Sequence, residues 1–405
     1  GESMLVTPSL MHVKTRAGRG QQEDAGLLRP AAGRGGELLE GLTAEQVLMR
    51  VDVPVLRQGA EKTEWQCIVD DHAAMAAAGE WPDLLEALRY TDQERIMASG
   101  GHRVAPLISE GMRAGLAAAI SRNDWTMAKA ELEVLEGLYD RNPEDYCAAQ
   151  VVAQAHIDFA DARRKTAPQG QLSREVWSEG AVHFERAETL VTIFDPIEEM
   201  SPLLAGTRYA LIPGIEDGGS VCREWYEDWC DLDPENAAVH AAHAVNMLPG
   251  WHGSLSAFER EARRSVRLTE GVSGKASYAV FHIAAAEALG DLSPTLEMEY
   301  FFEALQDYQS ATGCQHRANV AAHLLSGMAM GFRKDGADAA YQLTKTRAAL
   351  SDVLWNRLRE IQLDCWTRHS ESLAFAMAEV FGPALKRGAR IVRRGDGLGT
   401  LVRRT

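Results

Sequence analysis

The sequence predicts an all-α chain, an array of antiparallel helical hairpins, and three observations carry that expectation. From Glu61 onward apolar residues recur at helical spacing in segments punctuated by Gly, Pro or an Asx residue. Ahead of the C-terminal tail there is no alternating β-branched run long enough to found a sheet. Two junctions, Asn142-Pro143-Glu144-Asp145 and Asp233-Pro234-Glu235-Asn236, each follow a helix with an aromatic in its body and introduce an alanine-rich one.

Taken in order, residues 1–36 mix Gly, Arg, Gln and Pro without periodicity and read as a flexible segment. Thr43-Ala44-Glu45-Gln46 has capping-box spacing and opens a short helix to about residue 50. Residues 51–60, with Pro54 and Gly59, read as a connection. Helices are then expected near 62–78, 82–98, 106–122, 125–139, 144–165, 174–194, 201–211, 221–232, 235–248, 255–269, 275–289, 294–310, 315–332, 337–350 and 352–380. In both junctions the proline ends one helix and suits the first turn of the next, where its missing N–H costs nothing. The aromatic residues over 297–310 and 352–380 sit at helical spacing and read as core stripes, the long final helix also offering a face for a second copy of the chain. The domains expected are thus 1–36 flexible, 37–380 helical repeats and 381–405 a basic tail.

A chain of 405 residues is long enough for two or three cores or for one array that grows with its length. No apolar run approaches the roughly 18 residues of a membrane span, and no secretory pattern opens the chain, so the expected location is cytoplasmic. The six cysteines include no C-x-x-C pair, which suggests neither a zinc knuckle nor a disulfide framework. A net charge of -16 argues against general nucleic-acid binding, because counterion release needs a cationic surface. The tail is the exception: after residue 380 seven basic residues stand against Asp396, so contact with nucleic acid or an acidic surface is confined to it.

The residues Leu232-Asp233-Pro234-Glu235-Asn236-Ala237-Ala238-Val239-His240 resemble the junction between consecutive tetratricopeptide repeats, and Arg141-Asn142-Pro143-Glu144-Asp145 is a weaker instance. Glu80-Trp81 with Leu84, Leu85 and Leu88, the helix carrying Trp225 and Trp229, and Pro249-x-Trp251-x-Gly253-Ser254 are also similar to uncharacterised bacterial TPR-like domains. The resemblance implies stacked helical hairpins that cover one another's faces. The two prolines lie 91 positions apart, which is no multiple of the repeat of about 34 residues, so the repeats are degenerate.

Three groups of residues are candidates for a site. His240 and His243 project from one helix face with His252 just beyond, a set that would suit a metal were a carboxylate ligand near; structural histidines are the plainer reading. Asp70-Asp71 and Asn123 with Glu131 resemble the magnesium motifs of terpene cyclases, but the ligand sets are incomplete, with Met127 where the serine would be needed, and Asp124 reads better as a helix cap. Trp251 and His252 in a tight turn, with Arg260, Arg263, Arg264 and Arg267 on the following helix, form an aromatic and basic stripe that suits an acidic peptide. Intramolecular pairing of those arginines with Glu259, Glu261 and the acidic helix before them is the alternative. The function expected is a scaffold or adaptor that binds a protein or peptide in a helical-repeat groove, without cofactor or chemistry. The second reading is an enzyme with a helical-pocket active site, either metal-dependent through His240, His243 and His252 or acting on a small molecule in the pocket.

Overall fold

The computed structural model describes residues 38–166, 174–366 and 369–402, so the segment 1–36 expected to be flexible lies outside the described residues. Helix accounts for 73% of the structure, in keeping with the all-α expectation. In chain order the elements are α1 (Ala44–Leu48), β1 (Val51–Asp52), β2 (Val55–Leu56), α2 (Ala60–Ala77), α3 (Trp81–Gln93), α4 (Val104–Met112), α5 (Ala114–Ser121), α6 (Trp125–Arg141), α7 (Tyr146–Thr166), α8 (Arg174–Ile193) and α9 (Pro202–Tyr209). They continue with α10 (Gly218–Leu232), α11 (Ala237–Asn246), α12 (Leu255–Ser273), α13 (Ala276–Leu289), α14 (Met298–Ser310), α15 (Gln315–Asp335), α16 (Ala340–Asn356), β3 (Ile361–Gln362), α17 (His369–Lys386), β4 (Arg390–Arg394) and β5 (Gly397–Leu401).

Local chemistry sets many of the helix starts. Thr43 and Gln46 form the expected capping box, each side chain accepting from the other's backbone N–H. Asp124 caps α6 through Met127 N, and Ser254 caps α12 through Ala257 N. The two proline junctions are built alike, but each helix begins three residues after its proline, at Tyr146 and Ala237. Each forms a tight turn closed by a backbone bond, Asp145 N to Asn142 O and Asn236 N to Asp233 O. The cap is then the last junction residue: Asp145 accepts from Cys147 N and Asn236 from Ala238 N. A side-chain acceptor there satisfies an otherwise free N–H, which the proline position could not do.

Where one helical domain over 37–380 was expected, the described residues form two compact units, Ala60–Ala318 and a second that joins those up to Gly59 with those from Asn319 onward. In the 60–318 unit α5, α6, α7 and α8 pack in succession, as do α12, α13 and α14, and α2 packs on α4 and α11 on α13 across an intervening helix. Alanines 148, 149, 153, 155 and 160 are fully buried on α7 and let its neighbours approach closely. Leu84, Leu88, Ile108, Leu116 and Leu138 fill the core around them, each stabilising by about 1.5–3 kcal/mol on burial.

The second unit corrects three sequence expectations. The connection at 51–60 is two strands: β1 pairs in parallel with β4 (Val51 with Ile391) and β2 with β3 (Val55 with Ile361). The basic tail is not separate, because α17 runs on to Lys386 and β4 and β5 form an antiparallel hairpin in register Arg390 with Leu401. Buried Ile391 and Leu398 anchor the hairpin while Arg393 and Arg394 stay exposed. A Cβ at position 397 would stand 1.9 Å from Trp355 O, so only glycine lets the hairpin close on α16. The single helix expected over 352–380 is broken between Asn356 and His369. Asn319, fully buried on α15, holds the break: its amide donates to Glu360 O at 3.1 Å and its Oδ1 accepts from Gln362 N at 2.9 Å and Trp366 Nε1 at 3.0 Å. Those bonds satisfy backbone that has left the helix.

Candidate functional site

Within the 60–318 unit, α2, α3, α4, α7, α9, α10 and the start of α11 surround a cavity of about 530 Å³, with Tyr308, His316 and Arg317 contributing to its wall. One side of it is a closed ring of hydrogen bonds between α4, α7 and α9. Arg113 Nη1 donates to Ser109 Oγ at 2.5 Å, and Ser109 Oγ donates to Gln150 Oε1 at 2.9 Å. Gln150 Nε2 donates to Thr207 Oγ1 (2.9 Å), which donates to Gln154 Oε1 (3.2 Å). Gln154 Nε2 then donates to Asp158 Oδ1, and Arg113 Nε to Asp158 Oδ2, both at 2.9 Å. Because every member is fixed by the next, the wall is organised before any ligand arrives.

The rest of the wall mixes aromatic and charged groups. Trp65 stacks on His102 with centroids 4.5 Å apart and meets His316 edge-on at 5.7 Å. Burial, then the positive charge of His316 and Arg103, holds His102 below the usual histidine range. Trp229 lies against Gly206, where a Cβ would come within 2.8 Å of its ring, so glycine lets α9 and α10 meet at the wall. Asp92 accepts from Leu203 N at 2.8 Å, from Tyr146 Oη at 3.1 Å and from Ser201 Oγ. Burial pushes its carboxyl up to about 6 against those three donors, and it serves as an anchor for the start of α9.

The buried carboxylates of the wall are spoken for, and donors are left over. Asp233 is engaged by Arg103 through Nε at 2.8 Å and Nη2 at 2.6 Å, both residues nine-tenths buried or more. Arg103 Nη1 and Trp229 Nε1 are buried and have no hydrogen-bond partner. Arg317, only 7% exposed, spends Nη1 on Tyr308 O at 2.8 Å and lies over the Tyr308 ring at 4.4 Å; no carboxylate among the described residues pairs with it.

The residues singled out from the sequence lie elsewhere. His240 and His243 are buried, and both nitrogens of each are occupied. His240 Nε2 faces Pro234 O at 2.9 Å and so carries the proton, leaving Nδ1 to accept from Tyr226 Oη at 3.0 Å. His243 Nε2 donates to Glu261 at 2.9 Å while Nδ1 accepts from Tyr209 Oη at 2.7 Å. Neither has a lone pair left for a metal, and His252 is exposed and apart from them beside Gly219. Among the described residues no group of three or more His, Cys, Asp or Glu side chains is placed to hold a metal ion. Arg263 pairs with Glu259 at 3.0 Å, and Arg264 with Glu261 at 3.3 Å and with Glu227, which is the intramolecular pairing of the alternative reading. Arg260 and Arg267 are exposed, and Trp251 is 56% exposed in its turn. None of these residues lines the cavity.

No protein-family model, no curated protein and no solved structure matches this chain. Sequence reasoning missed the cavity because its residues run from Trp65 to Arg317. One signal was present: Gln150, Gln154 and Asp158 form a polar stripe at i, i+4 and i+8 on a helix otherwise rich in buried alanine and valine.

Proposed function

We propose that this chain is a binding module whose helices over 60–318, a degenerate TPR-like array, enclose a small ligand in the cavity without chemistry of their own. The observation that carries this reading is a volume of about 530 Å³ walled by a hydrogen-bonded ring that is complete without a ligand. That volume is in the range of small-molecule sites, and a fixed wall reduces the ordering cost of binding. Packing of helices on their first and second neighbours supports the array. All six cysteines are free, which supports a reducing compartment such as the cytoplasm. The test is extraction of the purified protein followed by mass spectrometry, for wild type and for Ala238→Phe, which fills the cavity from an exposed wall position. A compound released by wild type and lost from the variant is the expected result; equal release from both, or release from neither, overturns the reading.

A second reading, an adaptor docking a protein or peptide on the turn at Trp251 and the helix after it, has one observation in its favour. Trp251 is 56% exposed, and the neighbouring Arg260 and Arg267 keep their charges outside any ion pair among the described residues. Large aromatics held in the open dominate interface energetics. Trp251→Ala would abolish capture of such a partner and Ala238→Phe would not; the reverse pattern assigns capture to the cavity.

A further inference from the structure

Resting on the cavity as the ligand site, we infer that its ligand is a singly charged anion with a flat apolar body, a small aromatic carboxylic acid seated on Arg317. The charges of the wall lead there. Its arginines are 95, 103, 113 and 317. Arg103 is neutralised by Asp233 and Arg113 by Asp158, and the charge of Arg95 acts on Asp92. Arg317 is left, nine-tenths buried with no carboxylate. Glu110, the remaining acid of the wall, is exposed and makes no ion pair, so water screens it and it does not offset a buried charge. A largely buried guanidinium without a counter-charge is unfavourable, and one negative charge relieves it.

The geometry of the donors agrees with the charge. Arg317 uses one of its nitrogens on Tyr308 O, so the remaining edge of its planar fork is free to take two oxygens of one carboxylate. Trp229 Nε1 and Arg103 Nη1, both without an acceptor, add donors to the same wall. A single unmatched arginine suits a monoanion better than a phosphate, which brings up to two charges. For the body of the ligand the wall offers Trp65, Trp229, Tyr308, Pro202 and Leu203, surfaces on which a flat apolar group stacks.

The experiment is titration calorimetry of the full chain with 2-naphthoate and, as a neutral partner of the same shape, 2-naphthamide. In wild type the acid should bind about tenfold or more tightly than the amide, with the advantage shrinking as salt is raised. Arg317→Gln should bring the two to within about twofold, while Arg317→Lys should keep part of the preference because the charge remains. Circular dichroism of each variant guards against a folding defect, and the salt series on wild type tests the charge without any substitution. Equal binding of acid and amide, binding of neither, or a preference that survives Arg317→Gln overturns the inference. Were that to happen while wild type still released a compound that Ala238→Phe lost, the cavity would stand and only the charge of its ligand would fall.

Discussion

Two polar clusters in the 60–318 unit are built from similar parts and end in opposite states. Around α10, α11 and α12, Tyr209, Tyr226, His240, His243 and Glu261 are all buried and linked by hydrogen bonds of 2.7–3.0 Å, with Tyr226 stacked on His243 at 4.0 Å. Around the cavity, Arg103, Trp229 and Arg317 are similarly buried or half-buried, yet Arg103 Nη1 and Trp229 Nε1 have no acceptor and no carboxylate among the described residues pairs with Arg317. The first cluster stood out in the sequence because its histidines share a helix face, and it turns out to be saturated. The second left almost no trace there and borders empty volume. Buried polar residues alone therefore say little about binding; what matters is whether neighbouring groups have used up their hydrogen-bonding capacity.

The sharpest way to break this comparison is Glu261→Ala. Its carboxylate is buried and serves His243, Arg223 and Arg264, so its loss should destabilise by about 3–5 kcal/mol in urea unfolding, as for a buried pair losing one partner. A loss under about 1 kcal/mol would mean that the cluster is not the closed unit described. Next in size is Gln150→Leu, which leaves Ser109 and Thr207 short of a partner in the ring and should cost about 1–3 kcal/mol. Because it opens the wall, the same variant should also weaken retention of the co-purifying compound; retention at the wild-type level would detach the ring from the site.

The smallest effect is in the pH dependence, where the two clusters act with opposite sign. Burial holds His240 down at about 4, below its ordinary 6.5. The stability it contributes is present above pH 6.5 and is lost as pH falls through about 4. Asp92 is raised from 3.8 to about 6, so its contribution is present below pH 3.8 and is lost as pH rises through about 6. Between about pH 4 and 6 the two oppose each other. Unfolding midpoints measured across that window should climb more steeply with pH in Asp92→Asn and less steeply in His240→Asn than in wild type. Parallel curves would show that neither group carries the shift.

Much of the local structure was legible. The capping box at Thr43, the cap at Asp124 and the likeness of the junctions at Pro143 and Pro234 all depend on contacts within a few residues, and each is present. The last helix shows where such reading stops. Residues 352–380 have helical periodicity, but Asn319 on another helix offers its amide to the backbone at 360–366 and draws it out of the helix. The short strands were hidden for the same reason: Val51 acquires strand geometry by pairing with Ile391, near the far end of the chain.

By itself the sequence determined that the chain is helical and where many helices start, since period, caps and prolines act over one or two turns. It also determined that the histidines of α11 would share a face. Whether those histidines were spent or available was decided only by the tertiary structure, because saturation depends on which donors and acceptors distant helices bring. The same holds for the cavity. A polar stripe on α7, a glycine on α9 and an arginine at the start of α15 carry no message apart, and only when folded do they enclose a volume with a positive charge left over.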